Sequence, residues 1–127
     1  MKNNSAKDYD LSECIEAGMI LTGPQTKSIA LNKANINGAR CQMAGDKFLL
    51  LGITFDSTVS EVPLLLHKRE LRWIKDKVAA GRWTVPVRIY TKNKKFKLEV
   101  GVGMKLKKHD KREKEKSKVA RKEATDY

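Results

Sequence analysis

Thr84-Val85-Pro86-Val87-Arg88-Ile89-Tyr90-Thr91-Lys92-Asn93-Lys94-Lys95-Phe96-Lys97-Leu98-Glu99-Val100-Gly101-Val102 is the stretch that decides the fold. Its flanks, Thr84 to Tyr90 and Phe96 to Val102, alternate apolar and polar residues at the two-residue period of half-buried strands. The polar tetrad Lys92 to Lys95 between them predicts the turn of a hairpin. Upstream, Tyr9 to Leu21 sets Ile15, Ala17, Met19 and Leu21 on one side of a similar alternation, a leading strand. Ala34 to Phe55 reads as two more strands joined at Ala44-Gly45-Asp46, a turn in which glycine takes positive φ. Helix is sparse. Pro24 suits a helix's first turn, where its missing amide hydrogen would go unpaired anyway, so Gln25 to Asn32 predicts a short helix. From His67 onward, Leu71, Ile74 and Val78 form one apolar stripe of a second helix, which Gly81 terminates. Leu64-Leu65-Leu66 before it is a short buried run in which alternate residues face opposite sides.

These elements predict a mainly β fold, a small closed or partly open β-barrel of the oligonucleotide-binding (OB) type with short flanking helices. At 127 residues and 14.4 kDa the chain has room for one such domain, placed at 1–104. Beyond Met104 the β pattern gives way to a basic tail, 105–127, with ten Lys/Arg against five Asp/Glu, or +5 of the total +12. So polar and charged a segment buries no core, and it is expected to stay largely disordered until a polyanion appears. With a pI near 9.8, nucleic acid is the leading partner class, and RNA leads within it.

Several classes are disfavoured. No apolar run approaches a membrane span, and Met1 to Asp10 carries neither a secretory h-region nor arginine, so a soluble cytoplasmic protein is expected. Cys14 and Cys41 are too few and too far apart for a zinc knuckle or a disulfide framework, and read as strand residues in a reducing compartment. His67 and His109 add no metal-ligand spacing, so no metal and no cofactor is expected. His109-Asp110 is an adjacent pair whose side chains do not generally face each other, and no nucleophile, P-loop or dinucleotide fingerprint stands near it. An enzyme is not expected.

Three blocks carry a family resemblance. Glu16-Ala17-Gly18-Met19-Ile20-Leu21-Thr22-Gly23 with Lys27-Ser28 resembles the opening strand and first helix of the SmpB family, the bacterial proteins that bind transfer-messenger RNA (tmRNA). Leu64-Leu65-Leu66-His67-Lys68-Arg69-Glu70-Leu71 is similar to that family's internal leucine stretch, and Lys107-Lys108-His109-Asp110-Lys111-Arg112 to its tail junction. The blocks stand in the family's order, from Tyr9 to about Arg112. The resemblance implies a monomeric, non-enzymatic partner of the tRNA-like domain of tmRNA and of the stalled 70S ribosome, acting in trans-translation. By that resemblance Glu16 and Leu65, the one leucine of its run taken to look outward, fall on the RNA-binding surface; Gly18, Lys27, Lys68, Arg69, Lys97, Lys107 and Lys108 are further RNA-binding candidates, the basic ones as holders of phosphate. His109, Asp110, Lys111 and Arg112 fall where the family engages the decoding region.

The sequence also departs from the family. Thr54 to Pro63 reads as a shortened loop lacking the usual basic residues, so an RNA contact is expected to be missing there. Pro24-Gln25-Thr26 and Lys105-Leu106 differ from the usual residues at their positions. After Arg112 there are 15 residues where such tails run longer, so one alternative is a tmRNA binder defective in ribosomal accommodation, as a divergent or mobile-element copy would be. A generic basic OB-type module without tmRNA specificity is the competing reading. Its weakness is aromatic content, only 6%, where single-strand binders offer stacking rings.

Overall fold

The computed structural model describes residues 1–106. Lys107, Lys108, His109, Asp110, Lys111 and Arg112, and the tail they open, lie outside the described residues. Seven strands make one curled, half-barrel sheet: β1 (Tyr9–Met19), β2 (Ala34–Asn35), β3 (Arg40–Ala44), β4 (Lys47–Phe55), β5 (Thr58–Leu65), β6 (Trp83–Lys92) and β7 (Lys95–Lys105). Their order is β2-β4-β5-β1-β7-β6, with β3 also paired to β4. Two helices, α1 (Gly23–Ala30) and α2 (Lys68–Ala79), flank it. The expected mainly β architecture is what the chain forms.

The deciding hairpin is β6–β7. Lys92 pairs with Lys95, and Asn93 and Lys94 between them both take positive φ, the two-residue turn that matches strand twist. The expected turn at Gly45 forms too, joining β3 to β4 with Gly45 at φ +63. Leu50, Val62, Leu98, Val100, Ile53 and Ile36 are fully buried and define the core on the concave face. The curl brings β3 toward β6, where Thr84 Oγ1 donates to the Cys41 carbonyl at 3.1 Å.

Both helices end by recognisable local chemistry. Thr22 accepts from Gln25 N and Gln25 Oε1 accepts from Thr22 N, a capping box that starts α1 two residues earlier than Pro24's position alone predicts. Past α2, Gly81 at φ +83 sends its amide to Val78 and Arg82 sends its amide to Lys77, so the carbonyls of the last turn are satisfied. Ile74 of the apolar stripe is fully buried and Leu71 partly so. Val78 is 40% exposed and does not belong to the buried stripe.

Two readings need correction, and one feature is new. Thr54 to Pro63 is not a loop: it is the end of β4, a turn at Asp56-Ser57, and most of β5. Pro63 is tolerated because its carbonyl, and hence its missing N–H, faces β1 rather than the β4 ladder; Ile20 N donates to that carbonyl at 3.0 Å. Ala34 to Ala44 is not one strand either. Asn35 Oδ1 accepts from Asn37 N at 2.7 Å, and this side-chain turn breaks the strand and drops Ile36 into the core. Finally, the first residues are structural. Asn3 N donates to Val87 O and Asn3 Nδ2 to Pro86 O, both at 2.8 Å, while Asn3 Oδ1 accepts from Gly38 N at 3.1 Å. The N-terminal segment thereby stitches β6 to the loop before β3.

Candidate functional site

Strand register places the site. In the neighbouring strands β5, β1 and β7, Leu65 pairs with Gly18 and Gly18 with Lys97; on β6, Tyr90 pairs with Lys97. Paired residues share a face, so these four form one row across the sheet. The next row on that face is Glu16, Glu99 and Arg88. Between them, Ala17, Leu98 and Ile89 point the other way and are buried. The alternation seen in the sequence thus separates a core face from a working face.

On the working face the side chains converge on Gly18. A Cβ there would lie 3.2 Å from Leu65 Cβ and 3.7 Å from Lys97 Nζ, so the apolar side chain and the ammonium fold over the glycine from opposite sides. Leu65 is 58% exposed, a large apolar side chain held in water by its strand parity. Beside this row is a cleft of about 370 Å³ lined by Glu16, Gly18, Leu65, Leu66, His67 and Glu70 with Lys97. The first turn of α2 closes one side of it, where Glu70 Oε1 accepts from His67 N at 3.0 Å.

Glu16 is held firmly. Its Oε2 accepts the Tyr90 hydroxyl, and Lys92 Nζ stands 3.4 Å from the same oxygen. The Tyr90 hydrogen bond, aided by Lys92 and then Lys97, lowers the Glu16 pKa below the usual carboxylate value. Burial, reinforced by the Glu16 charge, pushes the Tyr90 hydroxyl up to about 12, so it stays a donor. Arg88 in turn sits over the Tyr90 ring at 4.7 Å and pairs with Glu99 at 2.5 Å. One oxygen of Glu16 is therefore engaged and its orientation is fixed. A fixed carboxylate accepts hydrogen bonds from a ligand's N–H or O–H groups, while Leu65 offers an apolar face and Lys97 a charge for phosphate.

Known proteins resemble this chain across nearly its whole length. The family model described as SmpB protein matches residues 1–127. The chain belongs to the SmpB family. Among SmpB-family relatives, the SsrA-binding protein of Prochlorococcus marinus is 37% identical, covering 95% of this chain and 82% of that one. That of Syntrophotalea carbinolica is 35% identical, covering 91% and 85%. A solved structure described as "tmRNA-SmpB: a journey to the center of the bacterial ribosome" superposes with a TM-score of 0.67 at 26% identity, over 85% of each chain.

Within this SmpB-family fold, the residues singled out from sequence separate into groups. Glu16, Gly18, Leu65 and Lys97 share one cleft. Arg69 lines the neighbouring hollow with Cys14, Ile15 and Trp73, across the His67–Glu70 turn. Lys68 is exposed on α2, and Lys27 is exposed on α1, outside that cleft. Sequence reasoning missed Tyr90, Lys92, Arg88 and Glu99 as parts of the site. Only the register of β1 on β7 and β7 on β6 brings them to Glu16, although the acid-free basic run of the hairpin was a signal. Cys14 and Cys41 are strand residues, as expected, and both are free thiols. Among the described residues no helix is long and apolar enough to cross a membrane.

Proposed function

We propose that this SmpB-family chain binds the tRNA-like domain of tmRNA and delivers it to stalled ribosomes in trans-translation. The observation that carries the reading is the cross-sheet row Leu65–Gly18–Lys97 beside a carboxylate oriented by Tyr90 and Lys92. A folded RNA is recognised by its shape, its phosphates and 2′-hydroxyls, and the bases it leaves unstacked. Leu65 packs on an exposed base, Glu16 accepts from a base or ribose edge, and Lys97 with Lys27, Lys68 and Arg69 holds phosphates. Gly18 keeps the floor low enough for the RNA to reach both.

In the same reading, residues 1–104 are the RNA-binding domain and 105–127 a separate tail. Lys107 and Lys108 extend the phosphate contacts, and His109, Asp110, Lys111 and Arg112 engage the decoding region of the ribosome. The protein works as a binding partner in the cytoplasm, as a monomer, and without catalysis. The names of the relatives, SsrA-binding proteins, and the tmRNA–SmpB description of the superposed structure support this assignment. A generic single-strand binder fits the working face less well, since its ring, Tyr90, is covered by Arg88.

The test separates the two parts. Glu16→Ala and Leu65→Ala should each weaken binding to the tRNA-like domain about tenfold with the fold intact. Changing Asp110, Lys111 and Arg112 together to alanine should spare that affinity and impair peptide tagging in a reconstituted rescue reaction. Wild-type affinity in both single variants would remove the working face from RNA binding.

A further inference from the structure

Beyond the partition made by Leu65 and Lys97 lies a second cleft, of about 380 Å³. It shares Gly18, Leu65 and Lys97 with the Glu16 cleft but differs in chemistry. Its apolar lining comes from Met19, Leu21 and Phe96, each partly buried against the core. Its rim carries Lys94, Lys95 and Lys97, and no acid lines it, whereas Glu16 and Glu70 line the first. The size falls at the lower end of small-ligand sites, which span about 300–1,000 Å³.

A second observation concerns Lys94. It occupies the second central position of the β6–β7 turn at φ +64, where a side chain is strained and glycine is the favoured residue. The chain keeps a lysine there, and that lysine lines the cleft. Ser57 takes the same position at φ +70 in the β4–β5 turn, so the conformation alone marks no site; what is particular to Lys94 is that it lines the cleft together with Lys95 and Lys97.

Resting on the function proposed above, we infer that this second cleft is a nucleotide subsite. It takes one unstacked nucleotide of the bound RNA, its base against Phe96 and Met19 and its phosphate on Lys94 and Lys95. The neighbouring nucleotide lies on the Glu16 side of Leu65, which wedges between the two bases. A carboxylate on one side and an all-cationic rim on the other give the strand a direction: base edge toward Glu16, backbone toward the hairpin tip.

The experiment uses the full chain and the isolated tRNA-like domain of tmRNA. Lys94→Gly should raise the thermal midpoint by relieving the turn and yet weaken RNA binding, about threefold, so that lost affinity is not misfolding. Lys95→Glu should reduce the slope of log affinity against log salt by about 1. Phe96→Leu, which keeps an apolar side chain but no ring, should weaken binding about tenfold and abolish an ultraviolet crosslink between the RNA and the peptide spanning 94–97. Wild-type affinity and salt slope in all three, with Glu16→Ala still weakened, would overturn the subsite and leave the function standing. Failure of the wild-type chain to bind this RNA in preference to tRNA would overturn both.

Discussion

Tyr90, on β6, reaches across β7 to donate its hydroxyl hydrogen to Glu16 on β1. The contact ties together residues 74 positions apart and fixes the carboxylate that lines the cleft beside Gly18. Its consequences are electrostatic as well as geometric.

Glu16 titrates below the usual carboxylate range, first through Tyr90 and then through Lys92 and Lys97. A folded pKa below the unfolded one contributes stability that is full above the ordinary glutamate value and is lost as pH falls through the folded value. Tyr90→Phe should raise the Glu16 midpoint back toward the ordinary glutamate value and weaken RNA binding by about threefold to tenfold. Carbon-detected carboxyl titration by NMR reads the midpoint directly. An unchanged midpoint in Tyr90→Phe would contradict the hydrogen bond as the cause. In the alkaline direction the contact should be full below about 10, the ordinary tyrosine value, and lost as pH rises through the folded one.

Gly18 lets Leu65 and Lys97 close over the sheet. Valine there would meet Leu65 Cβ at a distance tighter than ordinary contact, 3.2 Å, and displace both side chains without entering the core. Gly18→Val should leave stability within about 1 kcal/mol, since valine suits a strand, while RNA affinity falls about tenfold. Urea unfolding and RNA titration on the same sample check the two arms. A loss of stability with affinity retained would show Gly18 to be structural.

Gly103 is different. A Cβ there would stand 1.8 Å from the backbone oxygen of Asp10, which has no flexible end to move away. Gly103→Ala should cost about 3 kcal/mol or more, measured by urea unfolding, or prevent folding altogether. Gly101→Ala meets the tip of Leu11 instead, at 2.6 Å, and should cost less.

Asn3 joins the ends of the half-barrel. Its side chain donates to Pro86 O and accepts from Ser5 N and Gly38 N, and the residue is only 5% exposed. Asn3→Ala leaves the buried Pro86 carbonyl and the part-buried Ser5 and Gly38 amides without this partner and should destabilise the fold by about 2 kcal/mol. Hydrogen exchange at the Gly38 amide should accelerate with it. Unchanged protection there would place the seam's strength elsewhere.

What was legible in the sequence was what local pattern encodes. The β6–β7 alternation, the positive-φ turns and the Ile74 stripe need only the residues beside them. β5 was missed because Thr58 to Pro63 holds little apolar character and ends in a proline, whose tolerance depends on which neighbour its amide edge faces. The N-terminal stitch was missed because Asn3 finds its partners 83 and 35 residues away. The site divides in the same manner. Glu16, Gly18 and Leu65 came from the family resemblance, and their meeting with Lys97 follows from register. Tyr90 and Lys92 could be joined to Glu16 only once the strand order placed β7 between them.

The most direct measurement is competition: the full chain bound to the tRNA-like domain of tmRNA, challenged with ordinary tRNA across a salt series. Phosphate contacts weaken steeply as salt rises, whereas contacts through Leu65 and the Glu16–Tyr90 pair do not. The account predicts a preference for the tRNA-like domain that persists at high salt and disappears in Leu65→Ala. Equal competition by tRNA at every salt concentration, with all binding lost as salt rises, would contradict it.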